Sequence, residues 1–130
     1  MQLFFRHWSQ VPHEQWRWTS FSPAEIACND PDGPALLINA EALDMLQELR
    51  NRVGPMVINS GFRTPKWNAA VGGAAMSKHL FGVAFDVRNH PDRTQDDFID
   101  AARGVGFNGI GRYQHFTHID LGAPNRYWED

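Results

Sequence analysis

Ten residues, Ser77-Lys78-His79-Leu80-Phe81-Gly82-Val83-Ala84-Phe85-Asp86, constrain this chain more than any other stretch. They set an imidazole and a carboxylate seven positions apart, with a glycine between them, and carry the carboxylate into an apolar run. Seven residues span about two helical turns, but Gly82 and the β-formers Val83, Phe85 and Val87 argue against a helix. The pattern predicts a loop presenting His79 and a strand presenting Asp86. Alternation along that strand puts Ala84, Asp86 and Arg88 on one face, with Val83, Phe85 and Val87 on the other. A carboxylate among such neighbours needs a partner, because an unpaired buried charge is costly. A metal ion would supply one.

Phe116-Thr117-His118-Ile119-Asp120-Leu121 is a second strand-like run with polar and apolar residues interleaved. His118 and Asp120 alternate onto one face, and either is a candidate to meet His79 and Asp86 across a sheet. Two histidines, one carboxylate and a free fourth position are the donor set of a catalytic zinc site, where the metal lowers the pKa of bound water to about 7. Hydrogen-bonded polar residues on a sheet are the competing reading. It suits any one of these histidines alone better than it suits the group.

The residues also resemble a known family. Ser77, His79, Gly82, Ala84 and Asp86 match S-x-H-x-x-G-x-A-x-D without a mismatch. This pattern is similar to that of the LAS zinc peptidases, named for lysostaphin, D-Ala-D-Ala metallopeptidases and sonic hedgehog. Within them the chain most resembles the D-Ala-D-Ala carboxypeptidase-like branch, which includes phage endolysins. Ser60-Gly61-Phe62-Arg63-Thr64-Pro65, Asn68, Val71-Gly72-Gly73-Ala74 and His118-Ile119-Asp120 extend the likeness, which runs from about Phe21 to Gly122.

The resemblance implies Zn2+ held by His79, Asp86 and His118, with Asp120 the competitor that the residue pattern leaves open. It implies that Ser77 hydrogen-bonds substrate near the scissile peptide or terminal carboxylate. Arg63 occupies a position whose arginine, in some relatives, stabilises the developing oxyanion or anchors substrate, tasks suited to forked donors; a structural salt bridge is the alternative. Several relatives carry Glu or Asp three residues before the last zinc ligand, where this chain has His115. Imidazole accepts a proton near neutral pH, so His115 is the first candidate for general base. Asp120 is the second, as base or as the orienter of a histidine ligand. Phe116 is a further departure, since some relatives have an active-site histidine there.

At 130 residues the chain is expected to form one domain able to bury roughly two-thirds of its unfolded surface. A net charge of −3 with scattered basic residues gives no reason to expect nucleic acid or a membrane surface as partner. No apolar run reaches the ~20 residues of a membrane span, and Met1 to Trp8 lacks the pattern of a signal peptide. Cys28 is alone and reads as a small core residue. Residues 1–20 hold Trp8, Trp16 and Trp18 and are expected to form an aromatic arm packed on a core at 21–122.

Ser22-Pro23-Ala24-Glu25 is a capping box opening a helix. Asn39 caps a helix over 40–52 with a Leu43, Leu46, Leu49, Val53 stripe. Met56-Val57-Ile58 reads as a buried strand, Thr64-Pro65 as the start of a short helix, and Thr94 as the cap of a helix over 95–104. Phe107 to Tyr113 and Phe116 to Leu121 read as a hairpin. These blocks predict an α+β fold: a small single domain with a mainly antiparallel central sheet flanked by helices, similar to the hedgehog and D-Ala-D-Ala peptidases.

The expected function is zinc-dependent hydrolysis of a peptide bond in peptidoglycan stem peptides or cross-bridges, with a D-amino acid near the cut. The protein is expected to be a monomer, made in the cytoplasm and acting at the cell wall, as in a phage or prophage endolysin. A zinc-stabilised module that binds cell wall or protein without turnover is the alternative. A zinc hydrolase of small peptides, such as a free D-Ala-D-Ala dipeptide, is a third reading.

Overall fold

Local signals set the helices, and sequence-distant pairing sets the sheets. In a computed structural model, which describes residues 2–130, Gln2–Phe5 (β1) pairs antiparallel with Leu36–Asn39 (β2). Between them lies a single helical turn, Pro23–Ile26 (α1), where Ser22 Oγ accepts from the Glu25 N–H and Glu25 reaches back to the Ser22 N–H. Asn39 caps Ala40–Val53 (α2) through its side-chain oxygen, and Gly54, at φ 88°, ends it. Thr64 caps Pro65–Ala70 (α3), and Thr94 caps Gln95–Val105 (α4).

Five further strands form the main sheet: Ile58–Ser60 (β3), Ala84–Arg88 (β4), Gly109–Arg112 (β5), Phe116–Asp120 (β6) and Arg126–Glu129 (β7). Their spatial order is β3-β4-β6-β5-β7, with every pair antiparallel except the parallel β5–β7. The α+β class with a mainly antiparallel sheet therefore holds, and the β5–β6 hairpin is as expected. The strand expected at Met56-Val57-Ile58 instead starts at Ile58 and runs to Ser60, because Ser60 is the residue that pairs with Asp86. β1, β2 and β7 were not expected.

Pairing register separates two faces of the main sheet. Phe85 and Val87 of β4, Ile119 and Thr117 of β6 and Ile110 of β5 are buried. They lie on the face that joins one hydrophobic core with Leu43, Leu46 and Leu49 of α2 and Phe98, Ile99 and Ala102 of α4. Burial of this apolar surface is the main stabilising term, at about 25 cal/mol per Å². Asp86, His118, Asp120, Gly109, Gly111, Arg126 and Trp128 fall on the opposite face by the same alternation.

The arm expected at 1–20 begins with Met1, which lies outside the described residues. Trp18, 2% exposed, is core; its indole N–H donates to Asp44 Oδ1 at 2.8 Å. Trp16 packs edge-on against it and donates to the Phe21 carbonyl, whereas Trp8 is exposed. Cys28 is buried in a small cluster with Ala35 and Phe62. No helix among the described residues is long and apolar enough to cross a membrane.

Candidate metal centre

His79 sits in a 3-10 turn, Lys78–Phe81, that the sequence builds from both ends. Ser77 Oγ accepts from the His79 N–H at 3.2 Å, and Gly82, at φ 71°, turns the chain into β4 through a left-handed conformation that side chains other than glycine's resist. The turn is tied down where the Arg63 N–H donates to the His79 carbonyl. Asp86 then projects from the middle of β4, directly opposite His118 of β6. Loop and strands thus bring together His79, Asp86 and His118, each offering a donor atom within 4.8 Å of the others.

Hydrogen bonds fix which atoms those are. His79 Nδ1 lies 2.7 Å from the Gly61 carbonyl. A carbonyl only accepts, so Nδ1 carries the proton and Nε2 presents a lone pair. That Nε2 is buried and has no hydrogen-bond partner; it and Asn108 Oδ1 are the two such side-chain atoms among the described residues. Asp86 Oδ1 is 3.3 Å away, but without a proton between them this is two acceptors facing each other. An orphaned buried acceptor costs about 1–3 kcal/mol, and a cation shared by both atoms removes the cost.

The spacing also suits zinc. Ligands 2.0–2.1 Å from a tetrahedral metal lie roughly 3.3–3.4 Å apart, which matches His79 Nε2 to Asp86 Oδ1. His118 Nδ1, at 2.9 Å from the same oxygen, needs to open by about 0.4 Å to reach that edge length. Two imidazoles and one carboxylate are a zinc donor set with a fourth position left over.

His118 is held from both sides. Its Nδ1 faces Asp86 and its Nε2 lies 2.7 Å from Asp120 Oδ2. Burial opposes an imidazolium here, but the carboxylates of Asp120 and Asp86 outweigh it and raise the His118 pKa. Burial likewise opposes charge on Asp86, yet the hydrogen bond from the His118 ring holds its carboxyl far below the usual range. Asp120, 1% exposed, is lowered against the same opposition by His118 and by Arg126.

These groups line a cleft of about 440 Å³ together with Arg63, Ser77 and Lys78 on one side and Tyr113, Phe116 and Trp128 on the other. Arg63 makes three bonds: Nε to Ser60 Oγ, Nη1 to Asn68 Oδ1 and Nη2 to Asp86 Oδ2 at 3.4 Å. The salt bridge and the cleft position coexist in this one side chain. Asp120 lies behind His118, bonded to the ring nitrogen that points away from Asp86. His115 is exposed in the β5–β6 turn and is not among the residues lining the cleft. Phe116 stacks on Tyr113 with ring centroids 4.4 Å apart.

Arg126 and Trp128 are the site residues that sequence reading missed. The trace they leave is the Gly109-x-Gly111 alternation in β5, one strand away from each. A side chain at Gly109 would overlap the Asp120 carboxylate at 2.1 Å, and one at Gly111 would overlap the Trp128 indole at 2.5 Å.

The family model described as Peptidase M15 matches residues 19–121. The zinc D-Ala-D-Ala carboxypeptidase of Streptomyces albus G is 35% identical over 91 residues, covering 64% of this chain and 34% of that protein. The chain therefore spans about a third of the length of that curated relative.

Proposed function

The chain belongs to the peptidase M15 family, and on that premise we propose that it is a zinc-dependent peptidase acting on peptidoglycan stem peptides or cross-bridges, with a D-amino acid near the cut. The observation that carries this reading is the buried lone pair of His79 Nε2, unpartnered and facing Asp86 Oδ1 within reach of His118. The named activity of the Streptomyces relative supports the substrate class.

His79, Asp86 and His118 would hold the ion, through Nε2, a carboxylate oxygen and Nδ1 respectively. Zinc supplies Lewis-acid polarisation of the scissile carbonyl and activates water near neutral pH. The chain's own residues bind and orient. Ser77 Oγ accepts from the His79 N–H, which leaves its O–H free to donate to substrate. Arg63 has two of five N–H donors uncommitted after its three bonds, enough to fork onto a carboxylate or a developing oxyanion. Lys78, in the same wall, adds a second cation suited to a peptide's terminal carboxylate.

Asp120 takes the orienting role: it accepts from His118 Nε2 and so directs Nδ1 into the cleft. We infer no proton transfer by His115, because it is exposed at the turn and outside the cleft lining. The same fact favours a second reading. Asp86 and Asp120 are the carboxylates that line the cleft, and both are committed, an arrangement that suits a zinc-stabilised binding module without turnover.

Mass spectrometry of fragments released from purified peptidoglycan separates the two. The metallated protein is expected to release new fragments, and His79→Ala to release none above background. Free D-alanine among the products identifies a carboxypeptidase, and split cross-bridges an endopeptidase. Folded, zinc-loaded protein that binds the wall and releases nothing would sink the enzymatic reading.

A further inference from the structure

β7 lies beyond the residues that the family model matches, yet it delivers a guanidinium to the back of the site. We propose that Arg126 is the positioning residue that completes the metal centre, acting on His118 through Asp120. This rests on the zinc reading above.

The register makes the reach possible. Asp120 of β6, Gly109 of β5 and Arg126 of β7 are directly opposite one another across three neighbouring strands. Side chains two strands apart are normally separated by the one between, and here that one is absent. The Asp120 carboxylate leans over Gly109, and Arg126 closes on it from the far side. Nη1 donates to Asp120 Oδ2 at 3.3 Å, while Nη2 donates to Oδ1 and to the Gly122 carbonyl. Nε donates to the Pro124 carbonyl, and the Arg126 N–H to that of Asn108. The guanidinium is thus fixed by four acceptor contacts and its backbone by a fifth, with Asp120 almost wholly buried beneath it.

The consequence is directional. A carboxylate has two oxygens and about four acceptor sites. Arg126 fills those facing β7, so the one that remains on Oδ2 points at His118 Nε2, 2.7 Å away. His118 must then carry its hydrogen on Nε2, and its lone pair falls on Nδ1, the atom beside Asp86 and His79. Fixing the tautomer and the ring angle of a ligand in this way is what outer-shell partners do, and their loss typically weakens metal binding 10–100-fold. A forked guanidinium serves better than an ammonium, which offers a point charge without the planar grip.

Zinc dissociation constants, read by competition with a chromogenic chelator, test this in a double-mutant cycle. Arg126→Met is expected to weaken zinc binding by roughly 10–100-fold, and Arg126→Lys to recover part of the loss. In an Asp120→Asn background, Arg126→Met is expected to change the constant by no more than about twofold, since the arginine then has nothing to act through. Thermal melts in chelator establish that each variant is folded. Should Arg126→Met not fold, Arg126→Lys against the native protein and the double variant against Asp120→Asn make the same two comparisons. Native affinity in the Arg126 variants, or an undiminished effect in the Asp120→Asn background, overturns the proposal and leaves the zinc reading standing. Failure of the native protein to bind zinc overturns both.

Discussion

A glycine can hold a site open by what it lacks. Gly109 faces Asp120 in the β5–β6 ladder, and a Cβ there would stand 2.1 Å from Oδ1 and 2.6 Å from Oδ2. That carboxylate is not free to move aside, because His118 and Arg126 grip it from opposite sides. Gly109→Ala is therefore expected to cost about 1–3 kcal/mol of stability by overpacking and to weaken zinc binding together with it. Gly104, on the exposed side of α4, is the control: its Cβ would meet the end of the flexible Arg52 side chain at 3.2 Å. Gly104→Ala is expected to be neutral or to stabilise by up to about 1 kcal/mol through helix propensity. Urea midpoints and zinc affinities of the two variants check this, and equal behaviour of the pair would refute the steric account. His79 and Asp86, with a third donor from the His118–Asp120 strand, were legible in the sequence because donor types at strand and loop spacing are a local pattern. The alternative between His118 and Asp120 was not, because it turns on which ring nitrogen each neighbour occupies.

Helices here announce themselves, and strands do not. Ser22, Asn39, Thr64 and Thr94 each accept from the backbone N–H three residues on, a bond that needs nothing from the rest of the chain. Thr94→Ala removes one such bond, Asp97 N–H to Thr94 Oγ1 at 3.0 Å, and is expected to cost about 1 kcal/mol. α4 packs on the core face of the sheet with α2, so zinc affinity should stay at the native level. Denaturant midpoints alongside a chelator titration check both halves, and a loss of zinc affinity matching the loss of stability would contradict the separation. β1, β2 and β7 escaped the sequence reading for the opposite reason. β2 runs straight into α2, so its four residues look like the approach to a helix. β7 is a four-residue edge strand, Arg-Tyr-Trp-Glu, whose two aromatics are adjacent and give no alternation, and it is paired in parallel with a strand more than a dozen positions earlier. Partners so far apart leave no local period to find.

The whole molecule divides its labour between the two faces of one sheet. Its core joins the α2–α4 face and the β1–β2 ribbon, while the polar cluster occupies the other face. A 130-residue chain buries enough surface to fold without a metal, so chelation is expected to lower the melting temperature without unfolding the protein. The pKa shifts set how that loss depends on pH. Asp86 and Asp120 are lowered on folding; their contribution is present above the ordinary carboxylate value of about 3.9 and is lost as pH falls through their folded values. His118 is raised; its contribution is present below about 6.5 and is lost as pH rises through its folded value. In chelator, stability should therefore be greatest between about pH 4 and 6.5 and decline above. Zinc reverses the upper limb, because it competes with the proton for His118 Nδ1 and binds better as pH rises. At a free concentration 100 times its dissociation constant it adds about 2.7 kcal/mol. Melting curves at pH 5, 6.5 and 8, with zinc and with chelator, should show a zinc increment that is small at pH 5 and grows steadily to pH 8. An increment independent of pH would mean that His118 gives up no proton to the metal, and that the ligand set is other than His79, Asp86 and His118.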